Sequence, residues 1–204
     1  MTAKDSFPER RDYLEALAGC VDRETVVVTA FGDSTRDWAN VGDRDLNFYL
    51  LGGMGHASSL ALGIALAVRP RRVVCCETDG GILLNLGSLV TIAGSGAENL
   101  SLIVFNNGCY ESSGGQPLPG NDTDLTMLAR GAGIADAATV TSVAEFGQRM
   151  SSQIERNTVT FLDVRISPRS GPRIPFDQHP LEIRERFRVA LRSRTEVTTS
   201  EEER

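Results

Sequence analysis

Residues 71–81 read RRVVCCETDGG and residues 99–108 read NLSLIVFNNG. Each is an apolar run that turns polar or glycine-rich only at its end. A strand without polar/apolar alternation has both faces covered, as central parallel strands do. Between the two lies ILLNLGSLVTIAGS, 82–95, an apolar segment of helical length. Strand, helix and strand in that order describe a crossover between neighbouring parallel strands, and such crossovers are right-handed.

The same alternation continues outward. ETVVVTA, 24–30, and NFYLL, 47–51, read as strands, and FGDSTRDW, 31–38, as a loop leaving the first of them. ASSLALGIALAV, 57–68, predicts a helix whose small residues let it lie close to the sheet. Upstream, Tyr13, Leu14 and Leu17 have helical spacing over 8–18, with Pro8 near the start. Downstream, a glycine-rich loop spans 108–122, helices are expected at 124–132 and 143–155, and TVTFLDVRI, 158–166, reads as the last strand. A loop over 167–180 leads to a closing helix at 181–192, and the polar tail 193–204 is expected to be disordered. The fold class expected is α/β, a doubly wound, mainly parallel sheet with helices on both faces, forming a single domain over 1–192.

Ligands of such sheets bind beyond the carboxyl ends of the strands. Three strand ends there are glycine-rich or polar: GGMG after 51, TDGG after 77 and NNGCYESSGGQP after 105. Asp79 is a carboxylate at a strand end. Gly80 and Gly81 after it would let backbone N–H groups approach a phosphate at a helix start, where negative charge is favoured. Taken alone, this is equally a tight strand–helix connection, and NNG is equally a simple turn. Together they say more, because neighbouring strands joined by one helix set Asp79 beside Asn106 and Asn107. A carboxylate, an amide oxygen and a backbone carbonyl are hard ligands for Mg²⁺, which completes its octahedron with phosphate and water.

TDGG…NN, from Thr78 to Asn107, resembles the GDG…NN motif of the thiamine-diphosphate enzymes. The resemblance implies Mg²⁺ on Asp79 and Asn107, with the Cys109 backbone carbonyl as third protein ligand. Gly80 and Gly81 would face the diphosphate, and Tyr110 would join the cofactor-binding set. Met54 would bend the cofactor, and the Gly52 carbonyl would accept from its 4′-amino group. Thr78 stands where that family has glycine, and Gly81 where it has serine. GMGHASSLALGIALA, NLGSLVTIA and NNGCYESSGGQP narrow the likeness, over roughly 24–166, to the sulfopyruvate and phosphonopyruvate decarboxylases. By that likeness Glu111, Ser112 and Ser113 line the site, against the alternative of a solvated loop. His56, Ser112, Ser113 and Gln116 would be donors to the substrate's sulfonate or phosphonate, and His56 and Glu111 belong with Ser112 in the candidate catalytic set. His56 has a competing local role at a helix start, and His179 reads as a surface residue.

Catalysis by thiamine also needs a carboxylate on the pyrimidine ring. In the family it comes from a pyrimidine-binding half that a one-domain chain does not hold. The implied protein is the β subunit of a hetero-oligomer whose separate α subunit supplies that glutamate. Its reaction would convert a 3-substituted pyruvate to an aldehyde and CO₂. The rivals are a β subunit of another thiamine-diphosphate enzyme, an oxidoreductase or carboligase, and a non-catalytic scaffold subunit. Cys20, Cys75, Cys76 and Cys109 have no cluster or zinc spacing, which disfavours the oxidoreductase. A nucleotide-binding module is disfavoured by the lack of GxGxxG and of a P-loop.

The composition is that of a globular protein: 204 residues, 41% hydrophobic and 24% charged. A net charge of −6 argues against general affinity for nucleic acid or anionic membrane. Neither a spanning apolar run nor a signal-peptide core is visible, so the cytoplasm is the expected compartment.

Overall fold

The computed structural model describes residues 6–120, 123–153, 158–168 and 175–202. Six parallel strands form the main sheet: β1 (Val26–Thr29), β2 (Asn47–Tyr49), β3 (Val73–Thr78), β4 (Leu100–Asn106), β7 (Asp136–Val140) and β8 (Thr160–Arg165). Their order is β2-β1-β3-β4-β8-β7. A small antiparallel ribbon, β5 (Cys109–Tyr110) with β6 (Gln116–Pro117), rises from the loop after β4.

Burial explains why the central strands read as continuous apolar runs. Val26, Val28, Val73, Cys75, Leu100, Leu102 and Val104 point into one core. Val27, Val74, Cys76, Ile103 and Phe105 point into the other. Cys75 and Cys76 are therefore small core residues, one on each face. The first core is closed by α3 (Ala57–Ala67), α4 (Asp79–Leu84), α5 (Gly87–Gly94) and α6 (Leu125–Gly131). The second is closed by α1 (Arg10–Cys20), α2 (Asp33–Gly42) and α7 (Val143–Gln153), through Tyr13, Leu14, Leu17, Trp38, Phe146 and Met150. Ala57, Ala61 and Ala65 carry α3 onto the sheet with minimal stand-off.

Three expectations need correction. The stretch 31–38 is not a loop, because α2 begins at Asp33 and is anchored by the fully buried Trp38. The apolar segment 82–95 is two helices, broken where Asn85 leaves helical geometry (φ −134°, ψ 53°) and donates to the Gly55 carbonyl at 2.9 Å. Strand β7, at the sheet edge, had no counterpart in the sequence reading. The closing helix expected at 181–192 is α8, whose bounds are Pro180–Glu202, and 203–204 lie outside the described residues.

From β1 the chain moves outward to β2, then crosses back to β3 and on to β4. The connections leaving β1 and β3 therefore diverge to opposite faces, α2 on one and α4 on the other. That divergence opens a crevice beyond the carboxyl ends of β1, β3 and β4, the usual ligand position in such sheets.

Candidate functional site

The crevice encloses about 710 Å³, mouth included. Its floor is Asp79 and Asn107. The β3–β4 register pairs Thr78 with Phe105, so the residues after these positions emerge side by side. Contact is direct: Asp79 Oδ2 accepts from the Gly108 N–H at 2.7 Å, and Oδ1 from the Gly80 N–H at 2.8 Å. Burial pushes the Asp79 carboxyl up to about 6, against the lowering effect of the Gly108 and Gly80 bonds. A carboxylate so costly to ionise bare is one that a cation would stabilise.

The two asparagines part company. Asn106 turns away and donates to Asp163 Oδ1 at 2.8 Å, where Arg165 grips the other oxygen at 2.9 Å. Asn107 faces the crevice. Its Oδ1 accepts from the Cys109 N–H at 3.0 Å, and its Nδ2 donates to Glu111 Oε2 at 3.2 Å. Opposite Cys109 in the β5–β6 register lies Pro117.

The turn at 77–81 explains the two departures from GDG-Ser. Thr78 caps α4, its hydroxyl accepting from the Gly81 N–H at 3.1 Å, so that N–H is engaged within the turn. Glu77 is fully buried behind the turn, with Oε1 accepting from the Thr78 N–H at 2.9 Å. Burial pushes its carboxyl up, and bonds from the Thr78, Ser58 and Ala57 backbone work the other way. A Cβ on Gly81 would sit 2.3 Å from Glu77 Oε1, so glycine is required there by the neighbouring carboxyl. At Gly80 a Cβ would meet Met54 Cε and Tyr110 Cε1, each at 2.9 Å. That glycine lets the loop carrying Met54 and the β5 strand close on the turn.

Met54, Asp79, Gly80, Asn107, Cys109, Tyr110, Glu111, Ser112 and Ser113 all line the crevice. Gly52, His56, Gly81 and Gln116 stand outside its lining. His56 is exposed at the start of α3, its ring 3.1 Å from the Met54 carbonyl, and Gln116 bonds locally with Ser113. His179 is exposed at the start of α8, as expected of a surface residue.

Sequence reasoning missed two contributors. One is the start of α2, where Asp33 and Ser34 line the crevice and the buried Ser34 hydroxyl has no partner. Asp33 is paired with Arg36 at 2.8 Å, which offsets its charge at this helix N-terminus. Gly32, with φ 97°, admits the close approach of Ser112, whose Oγ would lie 2.8 Å from a Cβ there. The other is Arg10 of α1, 7% exposed, which reaches Asp37 at 2.8 Å and also ion-pairs with Glu111. Burial opposes its charge, but the Glu111 and Asp37 carboxylates outweigh that and hold its pKa above the ordinary value.

Comparison with known proteins agrees with this geometry. The family described as "Thiamine pyrophosphate enzyme, C-terminal TPP binding domain" matches residues 30–164. The sulfopyruvate decarboxylase subunit β of Methanocaldococcus jannaschii is 31% identical over 91% of this chain and 98% of its own. That of Methanothermobacter thermautotrophicus is 33% identical over 92% of this chain and 98% of its own. The phosphonopyruvate decarboxylase of Streptomyces viridochromogenes is 33% identical over 89% of this chain, which spans only 46% of that relative. Among solved structures, a 4-hydroxybenzoylformate decarboxylase from Rhodococcus jostii RHA1 shares the fold, with a TM-score of 0.70 at 18% identity over 79% of this chain and 33% of that one. The benzoylformate decarboxylase of Polynucleobacter necessarius does so with a TM-score of 0.67 at 21% identity, over 80% and 34%. This chain belongs to the thiamine pyrophosphate enzymes, as a C-terminal TPP-binding domain of the sulfopyruvate and phosphonopyruvate decarboxylase kind.

Proposed function

We propose that this chain is the diphosphate-binding β subunit of a thiamine-diphosphate- and Mg²⁺-dependent 2-oxoacid decarboxylase. Its substrate is 3-sulfopyruvate or 3-phosphonopyruvate, and its products are the aldehyde and CO₂. The observation that carries this reading is the meeting of Asp79 with the Asn107 loop at the carboxyl ends of β3 and β4.

The residues present fit the cofactor. Among the described residues no three His, Cys, Asp or Glu side chains form a metal cage. Mg²⁺ needs none, since it takes one or two carboxylates and completes its shell with phosphate oxygens and water. Asp79 and Asn107 would hold it, with the Cys109 carbonyl as third ligand. The unpartnered Ser34 hydroxyl at the α2 N-terminus is a donor suited to a diphosphate oxygen. Thiamine diphosphate, when bound, supplies the electron sink for decarboxylation.

This chain's own residues then bind and orient. Gly80, where a Cβ would meet Met54 and Tyr110, would leave room for the diphosphate, and Met54 would pack against the cofactor. The Gly52 carbonyl would be the acceptor for the aminopyrimidine, and Tyr110 closes the wall beside Gly80. Ser112 and Ser113 donate to the anionic group of the substrate, with Gln116 bonded to Ser113 behind them and His56 two residues after Met54, outside the crevice lining. The pyrimidine-activating glutamate comes from a separate α subunit, a division supported by the relatives named as β subunits. No helix among the described residues is long and apolar enough to cross a membrane. None of the four cysteines is in a disulfide, which suits the reducing cytoplasm.

The test is CO₂ release from sulfopyruvate and from phosphonopyruvate, measured side by side. The chain is co-purified with its partner subunit and supplied with Mg²⁺ and thiamine diphosphate. Turnover of one substrate that is lost in Asp79→Ala is expected. Absence of turnover with either, and of cofactor binding, would leave a non-catalytic subunit as the account.

A further inference from the structure

The Asn107 side chain is held at both ends by groups that demand one orientation. Its Nδ2 donates to the Glu111 carboxylate at 3.2 Å, and its Oδ1 accepts from the Cys109 N–H at 3.0 Å. Turned over, the amide would set NH₂ against N–H and carbonyl oxygen against carboxylate, two mismatches at once. The second lone pair of Oδ1 remains for a cation.

Glu111 is itself held. It is 12% exposed and ion-paired with Arg10, which is 7% exposed and gripped from the other side by Asp37 at 2.8 Å. An ion-paired carboxylate accepts hydrogen bonds and does not donate them. Without Arg10, this carboxylate would stand unneutralised in a crevice that also holds Asp79 and is open to anionic ligands. The row Asp37–Arg10–Glu111–Asn107 thus runs from α1 and α2 to the crevice floor.

We propose that Glu111, fixed by Arg10, is a positioning residue for the metal site, setting the Asn107 amide so that its oxygen and not its nitrogen is offered to the cation. This rests on the reading of Asp79 and Asn107 as Mg²⁺ ligands. Arg10 and Asn107 meet on the same carboxylate oxygen, Glu111 Oε2, so the ion pair and the amide are set by one atom. Arg10, remote in sequence, thereby gains a place in cofactor binding.

The test uses Mn²⁺ in place of Mg²⁺, with the co-purified complex and thiamine diphosphate, and reads free Mn²⁺ by electron paramagnetic resonance. The Arg10→Met/Glu111→Met double variant removes the ion pair from both sides and leaves only Asp37, 25% exposed, without its arginine. It should bind Mn²⁺ about 10–100-fold more weakly, the usual cost of losing a residue that orients a metal ligand. Adding Asn107→Asp to that background presents oxygen in either orientation and should restore most of the affinity. Mere collapse of the loop would not be rescued this way. Unchanged Mn²⁺ affinity in the double variant, or a loss that Asn107→Asp does not repair, overturns the proposal. If the parent complex itself takes up no Mn²⁺, the metal reading falls and this inference with it.

Discussion

Replacing Gly81 by alanine sets two expectations against each other. Gly81 lies inside α4 and its φ is not positive, so helix propensity alone predicts a gain of about 0.5–1 kcal/mol for alanine. The new methyl, however, would stand 2.3 Å from Glu77 Oε1, 2.8 Å from its Cδ and 3.0 Å from Thr78 Oγ1. Glu77 is fully buried and cannot swing into solvent, so it must retreat by about an ångström into packed surroundings. Overpacking of this kind costs about 1–3 kcal/mol. The retreat also strains the bond from the Thr78 N–H, which adds about 1 kcal/mol. The net is a destabilisation of about 2 kcal/mol, or roughly 4–8 °C in melting temperature for a domain of this size. Urea unfolding of parent, Gly81→Ala, Glu77→Ala and the double variant measures it. The double variant should be more stable than the sum of the singles predicts by about 1–2 kcal/mol, because Glu77→Ala removes the collision. A Gly81→Ala protein as stable as the parent, or a cycle with no coupling, would refute the reasoning.

Two further outcomes follow from burial and charge. Asp43 loses solvation on folding, yet bonds from Arg186, Tyr49 and Gln178 hold its carboxyl below the ordinary value of 3.8. A carboxyl depressed in this way adds stability above about pH 3.8 and loses it as pH falls through the lower folded value. Asp43→Asn should therefore melt below the parent at neutral pH and converge with it in acid, and a gap that widens on acidification would be the wrong sign. Burial pushes the Cys76 thiol up to about 12 and the Cys75 thiol well above its ordinary value, while Cys20 and Cys109 are only half-buried. At about pH 8 a disulfide reagent should titrate two thiols in the native protein and four after denaturation, and rapid reaction of a third would contradict the described core.

The central sheet was legible because VVCCE and LSLIVF have no polar face to misplace. The meeting of Asp79 and Asn107 followed from adjacency of two strands joined by helical chain. What escaped did so for physical reasons. Helix α2 carries Asp33, Arg36, Asp37 and Asn40 around one buried Trp38, too few apolar residues to betray a helix facing the core. Strand β7, DAATV, is alanine-rich and lies at the edge, where β propensity is weakly demanded. The break at Asn85 depends on a bond to Gly55, 30 residues earlier, and no local pattern encodes it. Arg10 looks like any charge on an N-terminal helix, because its partner Glu111 lies 101 residues away.

The bond from Asn85 to Gly55 joins the loop 52–55 to the end of α4, and Gly55 is further fixed because a Cβ there would strike the Gly81 carbonyl at 2.9 Å. Two recognition patches are thereby carried on one rigid piece, Met54 on its loop and Asp79 on its turn. A ligand long enough to touch both meets the second patch at high effective concentration once it holds the first. Its affinity then exceeds what either patch supplies alone, and a fragment reaching only one of them forfeits that advantage.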